Sequence, residues 1–390
     1  MYNHITRAEL SELLKLNGQT YLSLYMPMAR SFPDQEQNPV RYRNLLRQLR
    51  EQLGSNGGAG QEALLEPFEQ LLHDDTLWRN PRDGLVVLGG EGVFKVYSLY
   101  QPVEERVQID QQPYLKPLLQ ISQSAGTFQV LCVTRDAVRL FKGDQNVLNE
   151  VEMHEDVPRS LEEALGSELT PGNQLGNPNA HSRAGEKQSG AAVHDQGGGK
   201  QDEVNLDRER YFRAIDKAII EHHSRGLPVI LAALPRNQAA YRAISHNPQL
   251  LEEGIALDPA LLDAAALRQH AGEIITRRHN AWLDSVLERY GAAQGKQLAC
   301  ENIAEIGEAV YSGRVSVLLV ESGRVLPGTV DPQSGAVDLH ETDTEEAATR
   351  GAADVLDQLI PRAIQNGAEV VMVPPGLVPG EAGAAAIFRF

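Results

Sequence analysis

The chain has 390 residues, of which 42% are hydrophobic and 23% are charged, and its formal net charge at pH 7 is −17. This length and composition predict two or three globular domains with substantial hydrophobic cores. The excess of acid argues against a protein that coats nucleic acid nonspecifically, because such binding depends on Lys and Arg neutralising phosphates. Any contact with RNA is therefore expected to be local.

The spacing of the cysteines and the hydropathy of the sequence indicate the cellular compartment of the protein. Cys132 and Cys300 lie far apart and have neither the pattern of a disulfide framework nor the spacing of zinc ligands. The N-terminus lacks the basic and apolar regions of a secretion signal, and no apolar run approaches the ~18 residues that cross a bilayer. We expect a soluble, cytoplasmic protein that contacts no membrane.

Residues 1–124 are predicted to form an N-terminal α/β domain. After a first helix and a strand, the segment 39–53 places its leucines on one helical face, and a hairpin over 85–99 and a further strand follow. A second face of the helix is rich in arginine, and it is either solvated surface or a site for RNA phosphates. These arginines are Arg41, Arg43, Arg47 and Arg50.

Residues 125–255 are predicted to form a middle domain with a long mobile loop. A hairpin over 128–142 precedes the loop, and a helix over 206–225 and a buried strand follow it. The loop, 166–203, holds eight glycines but only three large apolar residues. Three apolar residues bury too little surface to offset the loss of conformational entropy on ordering. It is either a passive linker or a functional loop, and its position inside one domain favours function.

Residues 256–390 are predicted to form a C-terminal α/β/α sandwich behind a leading long helix. One or two helices are expected over 259–290, and helices then alternate with strands to the end of the chain, with one helix over 342–366. The predicted fold class of the whole chain is therefore α/β.

The sequence contains no motif that requires catalysis. There is no P-loop, no Gly-x-Ser-x-Gly elbow and no His-Glu-x-x-His pair. His222 and His223 lie at the end of a predicted helix, where a positive ring interacts favourably with the helix dipole, and this structural role is preferred over metal binding. No catalytic residue, cofactor or metal site is predicted.

A family resemblance runs through all three predicted domains. It is carried by TYLSLYMP with NPVRYRNLLRQLREQL, by FQVLCVTRDAVRLFKG, by GGGKQDEVNLDRERYFRAIDKAI, and by VSVLLVESGRV with GAEVVMVPPG. In order and spacing these segments resemble the archaeo-eukaryotic release factor and Pelota family, specifically its bacterial members, of which the ribosome hibernation factor Balon is one. The resemblance implies a middle-domain loop that enters the peptidyl transferase centre, and a last domain similar to ribosomal-protein-like kink-turn binders.

The chain departs from the family pattern at the loop tip. True release factors carry a Gly-Gly-Gln tripeptide that directs water at the peptidyl-tRNA ester, whereas this chain has Gln196-Gly197-Gly198-Gly199-Lys200-Gln201. Lys200 thus separates the glycines from the glutamine that follows them. The Asn-Ile-Lys-Ser decoding motif is also absent from the first domain. The resemblance therefore implies occupancy of the ribosomal A site more strongly than it implies hydrolysis.

The interpretation preferred from the sequence is a ribosome hibernation or protection factor that releases no peptide and is not an enzyme. The implied partners are the ribosome, through rRNA of both subunits, with elongation factor Tu and another hibernation factor, and the protein is a monomer off the ribosome. Two alternatives stay open: a peptidyl-tRNA hydrolase that uses Gln201 or Gln196, and an acidic scaffold that binds only proteins. Besides the four arginines, the expected rRNA-binding residues are His194, Gln196, Gly197, Gly198, Gly199, Lys200 and Gln201.

Overall fold

The chain forms two compact units in the computed structural model. One consists of Met1–Gly126 with Arg278–Phe390, and the other of Thr127–Arg277. The predicted N-terminal range thus shares a unit with most of the predicted C-terminal range, whereas residues 256–277 belong with the predicted middle domain. The residues that the structure describes are 7–16, 18–56, 62–79, 81–123, 126–166, 197–224, 226–340 and 353–390.

Helices and strands alternate along both units, and the predicted α/β class is confirmed. The α-helices of the described residues are α1 Arg7–Leu13, α2 Asn38–Asn56, α3 Glu66–Gln70, α4 Asp75–Arg79, α5 Lys116–Gln123, α6 Leu161–Leu165, α7 Gly197–His222, α8 Pro235–Ile244, α9 Ala264–Gln294, α10 Ile303–Tyr311 and α11 Val355–Gln365. The strands are β1 Tyr21–Pro27, β2 Gly84–Gly90, β3 Val93–Leu99, β4 Arg106–Asp110, β5 Phe128–Val133, β6 Val138–Gly143, β7 Leu148–Val151, β8 Val229–Ala232, β9 Ala299–Cys300, β10 Val315–Glu321, β11 Gly328–Val330, β12 Val337–Leu339, β13 Glu369–Val373 and β14 Ala384–Phe388.

The first sheet of unit 1 is antiparallel, with strand order β3-β2-β1-β4. Successive residues of β1 point to opposite faces. Leu22, Leu24 and Met26 therefore pack against α2, while Tyr25 packs with the residues of the other face. Because the leucines of α2 pack on this sheet, the arginines of α2 lie on the other surface of the helix.

The second sheet of unit 1 has the order β13-β10-β14-β9, with β10 parallel to β13 and antiparallel to β14. Helices α10 and α11 pack on one face through residues such as Ile306 and Leu359. Val286 and Tyr290 of α9 pack on the other face. The predicted α/β/α sandwich is therefore confirmed for this part of the chain. The predicted start of the helix over 342–366 lies outside the described residues, and α11 begins after Asp354, which caps it.

The two ends of the chain share one hydrophobic core in unit 1. Val86 of the first sheet and Leu118 of α5 lie in the same buried cluster as Leu318 of the second sheet. A buried ion pair accompanies this cluster, since Lys116 Nζ lies 2.7 Å from Asp354 Oδ2. The side chains are 6% and 0% exposed, so neither charge is solvated and each depends on the other.

Unit 2 is built on a four-stranded sheet of order β7-β6-β5-β8, in which β5 and β8 are parallel. Helix α7 covers one face through Tyr211, Phe212, Ile215 and Ile219.

Every helix in the described part of the chain is too short or too polar to cross a membrane.

Helix α7 begins at Gly197, nine residues before the predicted start at Leu206, so Gly197–Gln201 are helical and not in a loop as predicted. Glycine disfavours helix, which is why the sequence indicated a loop there. Once the later residues of α7 pack on the sheet, however, extending the helix backwards adds one hydrogen bond per residue without a new nucleation cost. The rest of the predicted loop, 167–196, lies outside the described residues.

Candidate nucleic-acid interface

Two of the four arginines of α2 that were predicted to bind RNA form contacts with other residues of the protein. Arg41 Nη1 donates to the carbonyl oxygen of Pro27 at 2.9 Å, and its Nε lies 3.5 Å from Glu105 Oε2. Arg50 forms an ion pair with Glu69. Both arginines are therefore at least partly neutralised, although exposed pairs of this kind stabilise a fold by only about 0–1 kcal/mol.

The other two arginines of α2 face solvent. Arg43 and Arg47 are exposed, and neither forms an ion pair with a residue that the structure describes. They stand four residues apart, so they are neighbours on one face, separated by about one helical turn of 5.4 Å. These two guanidinium groups can contact phosphates without first breaking an internal ion pair.

A second basic pair, which the sequence did not suggest, lies in unit 2. Arg208 Nη2 of α7 and Arg236 Nη2 of α8 donate to the same acceptor, Asn205 Oδ1, at 3.1 and 3.0 Å. Neither guanidinium forms an ion pair with a described residue, and the buried Nε of Arg208 finds no hydrogen-bond partner among them. Residues 208 and 236 are far apart in the sequence, so no local pattern could have paired them.

The electrostatics of this second pair favour a bound anion. The pKa of Arg208 is lowered, first by burial and then by the positive charge of Arg236. Two cations held around one neutral oxygen repel each other, and a phosphate between them would remove that cost and accept several charge-assisted hydrogen bonds. The arrangement can thus bind an oxyanion such as a phosphate of RNA.

The residues predicted at the loop tip are only partly placed. His194 and Gln196 lie outside the described residues. The backbone of Gly197, Gly198, Gly199, Lys200 and Gln201 forms the first turns of α7. On a helix, one inserted residue moves the next Cα by about 1.5 Å along the axis and about 100° around it, so the insertion of Lys200 moves the Cα of Gln201 relative to the glycines by that amount.

Comparison with protein families shows a similarity that includes the second unit. The family model of bacterial archaeo-eukaryotic release factor family 3 matches residues 127–314. This region of the chain, just under half of its length, is therefore similar to bacterial archaeo-eukaryotic release factors. The matched release-factor region contains α7, α8 and the pair Arg208 and Arg236. Helix α2 lies outside it, so the arginines of α2 are supported by their geometry alone.

Solved structures were also matched, at low similarity. An archaeal translation termination factor, aRF1, is 16% identical with a TM-score of 0.24, and the match covers 99% of both chains. Pelota of Archaeoglobus fulgidus is 11% identical with a TM-score of 0.30, covering 99% of this chain and 92% of that one. An archaeal Pelota from a ribosome-bound complex with ABCE1 is 11% identical with a TM-score of 0.37, covering 99% and 94%. At TM-scores below 0.5 these similarities carry no argument about function. No curated protein matches the chain.

Proposed function

We propose that this release-factor-like translation factor occupies the A site and the peptidyl transferase centre of idle or stalled ribosomes and protects them without releasing peptide. The observation that carries the proposal is the sequence Gly197-Gly198-Gly199-Lys200-Gln201 at the start of α7. A release factor needs a glutamine beside the glycines, and this chain has a cation there. Lys200 is suited to pair with a phosphate of rRNA, which would hold the centre occupied instead of reacting in it.

The rRNA contacts that we propose are made by each unit separately: by the first turns of α7 and the pair Arg208 and Arg236 in unit 2, and by the pair Arg43 and Arg47 in unit 1. His194 and Gln196 together with the start of α7 would contact rRNA of the large subunit, and Arg43 and Arg47 would contact rRNA of the small subunit. On a protein of net charge −17, unneutralised guanidinium groups are the natural points of contact with phosphate. Elongation factor Tu and another hibernation factor are the further partners of this proposal, and the cytoplasm is its setting.

The absence of peptide release is the second part of the proposal. Directing a water at an ester requires a donor within hydrogen-bond reach of the attacking oxygen, and a misplacement of about 1 Å can cost on the order of a hundredfold in rate. The insertion of Lys200 displaces Gln201 by at least the helical rise of about 1.5 Å per residue. We therefore expect wild-type protein to leave peptidyl-tRNA intact.

The experiment has two measurements on the same preparation. Co-sedimentation with vacant ribosomes tests binding, and single-turnover release of peptide from ribosomes that carry peptidyl-tRNA tests hydrolysis. Binding with no release is expected for the wild type, and release that appears only after deletion of Lys200 would support the displacement argument. Fast wild-type release that Gln201→Ala abolishes would show a peptidyl-tRNA hydrolase instead. Failure to co-sediment would overturn the ribosomal proposal in favour of an acidic scaffold.

A further inference from the structure

Three metal-ligand atoms meet where the segment after β7 crosses the C-terminal end of α7. Asp156 Oδ2 lies 3.2 Å from His154 Nδ1 and 3.1 Å from His222 Nε2. All three donor atoms lie within 4.8 Å of one another. His154 and Asp156 are exposed and His222 is half-buried, so solvent and ions reach the cluster.

The hydrogen bonds of the cluster leave a place for a cation. The backbone N–H of Asp156 donates to His154 Nδ1 at 3.3 Å, so the lone pair of this nitrogen is directed toward the segment that carries Asp156. His154 Nδ1 and the Asp156 carboxylate oxygen then present lone pairs to each other at 3.2 Å, which is unfavourable unless a positive charge lies between them. The rings of His154 and His222 are stacked with centroids 3.8 Å apart, so the two imidazoles lie side by side.

The spacing of the donors suits a small divalent ion. Zinc binds imidazole nitrogen at about 2.0–2.1 Å and carboxylate oxygen at about 2.0–2.2 Å, and in a tetrahedral site this places neighbouring donors about 3.3 Å apart. The two nitrogen–oxygen separations, 3.1 and 3.2 Å, are close to that value. Because a metal lies in the plane of each imidazole it binds, the exposed His154 ring must turn out of the stack on binding, so the pair of Asp156 and His222 at 3.1 Å is the part of the site that is already in place.

The backbone around the cluster is held in place by neighbouring residues. The N–H of His154 donates to His223 Nε2 at 3.1 Å, and Gln129 of β5 donates to the carbonyl oxygen of His223 at 3.1 Å. The end of α7 is thereby tied both to the central sheet and to the segment that carries His154 and Asp156. The negative end of the dipole of α7 adds a further attraction for a cation.

We propose that His154, Asp156 and His222 form a binding site for a divalent transition metal, with Zn²⁺ as the best match to one carboxylate and two imidazole ligands. The fourth position is open to water. This site lies about 38 Å along α7 from Gly197, at about 1.5 Å per residue, so it is separate from the proposed rRNA contacts at the start of the helix. Its effect is to fasten the segment after β7 to the end of α7.

The test is calorimetric titration of the purified full chain with Zn²⁺, repeated with Co²⁺ and monitored by visible absorption. One metal per chain is expected, and His154→Ala or His222→Ala should each weaken binding at least about tenfold, since loss of even an outer-shell partner costs about that much. The matched control is His246→Ala, which removes another exposed histidine from the same unit.

A second measurement keeps the proposal testable if a variant folds poorly. On adding Zn²⁺ to wild-type protein, the ¹⁵N resonances of His154 Nδ1 and His222 Nε2 should shift, and the melting temperature should rise with metal concentration. The proposed site would be refuted if Zn²⁺ still bound after His154→Ala and after His222→Ala. It would also be refuted if the control His246→Ala weakened Zn²⁺ binding as much as they do. A protonated His154 Nδ1 that Zn²⁺ does not change would show an imidazolium–carboxylate pair in place of a metal site.

Discussion

Replacing both Arg43 and Arg47 with Gln should weaken ribosome binding and reduce its salt dependence. Each phosphate contact contributes about 0.7–0.9 to the slope of log affinity against log salt, so losing two contacts should lower the slope by about 1.4–1.8. Between 50 and 200 mM salt, the wild type should then lose about tenfold more affinity than the variant. Co-sedimentation with vacant ribosomes over this salt range measures both quantities, and circular dichroism confirms the fold.

The matched control uses the other two arginines of the same helix. Arg41 and Arg50 together carry the same charge, but they are engaged with Glu105 and Glu69. Their replacement by Gln should change the slope by less than one contact, about 0.7. Equal slope changes for the two double variants would refute the reasoning, because the internal ion pairs would then have no influence on which arginines meet RNA. An unchanged slope for the Arg43 and Arg47 variant would remove α2 from the interface.

Two further predictions concern charge in other parts of the chain. Arg236→Gln should weaken ribosome binding while leaving urea stability equal or slightly higher, because it relieves repulsion of Arg208; unaltered binding would contradict the phosphate site. Burial raises the pKa of Asp357 to about 7, so the folded state holds a proton that the unfolded state loses, and stability should fall as pH rises from about 4 to 7. Asp357→Asn should flatten this fall in urea denaturation, and Lys116→Met should extend it to higher pH, because Lys116 lowers the pKa of Asp357. The loss of Lys116 should also cost about 3–5 kcal/mol at pH 8. A fall of equal slope in wild type and Asp357→Asn would assign the pH dependence to other groups.

Helix α2 shows what periodicity can predict. The spacing of its leucines placed the helix over 39–53, and the structure has Asn38–Asn56 with the leucines buried and the arginines outside. The same spacing could not tell the engaged arginines from the free ones. That distinction depends on Glu69 and Glu105, which the fold brings to α2 from α3 and from the segment before β4.

Helix α7 shows where local rules fail. Three glycines followed by polar residues indicate a loop, since each glycine costs about 1 kcal/mol relative to alanine in a helix. The packing of Tyr211, Phe212, Ile215 and Ile219 nucleates the helix further along the chain, and the glycines then extend it. The first turn is consequently the part of α7 with the lowest intrinsic helix stability.

The sites formed by distant residues were not predictable from spacing. His222 was predicted to lie at the end of a helix, and it is the last residue of α7, but its carboxylate neighbour Asp156 comes from the segment after β7. Arg208 and Arg236 meet only because α7 and α8 pack on one sheet. In each case the sequence supplied the chemical groups, and the tertiary fold decided which of them came together.

The net charge of −17 is compatible with the proposed contacts with RNA. Acidic side chains repel RNA, and they therefore disfavour binding of the protein in incorrect orientations. An encounter that presents acidic surface to rRNA is repelled, whereas one that presents Arg43 with Arg47, or Arg208 with Arg236, is attracted. A basic protein of the same size would bind any exposed rRNA. Reversing acid far from α2, for example by Glu308→Lys, should therefore raise nonspecific binding to free RNA more than it raises binding to the ribosome. A filter-binding assay with unstructured RNA beside ribosome co-sedimentation would measure this, and equal gains in both would show that the acid contributes nothing to selectivity.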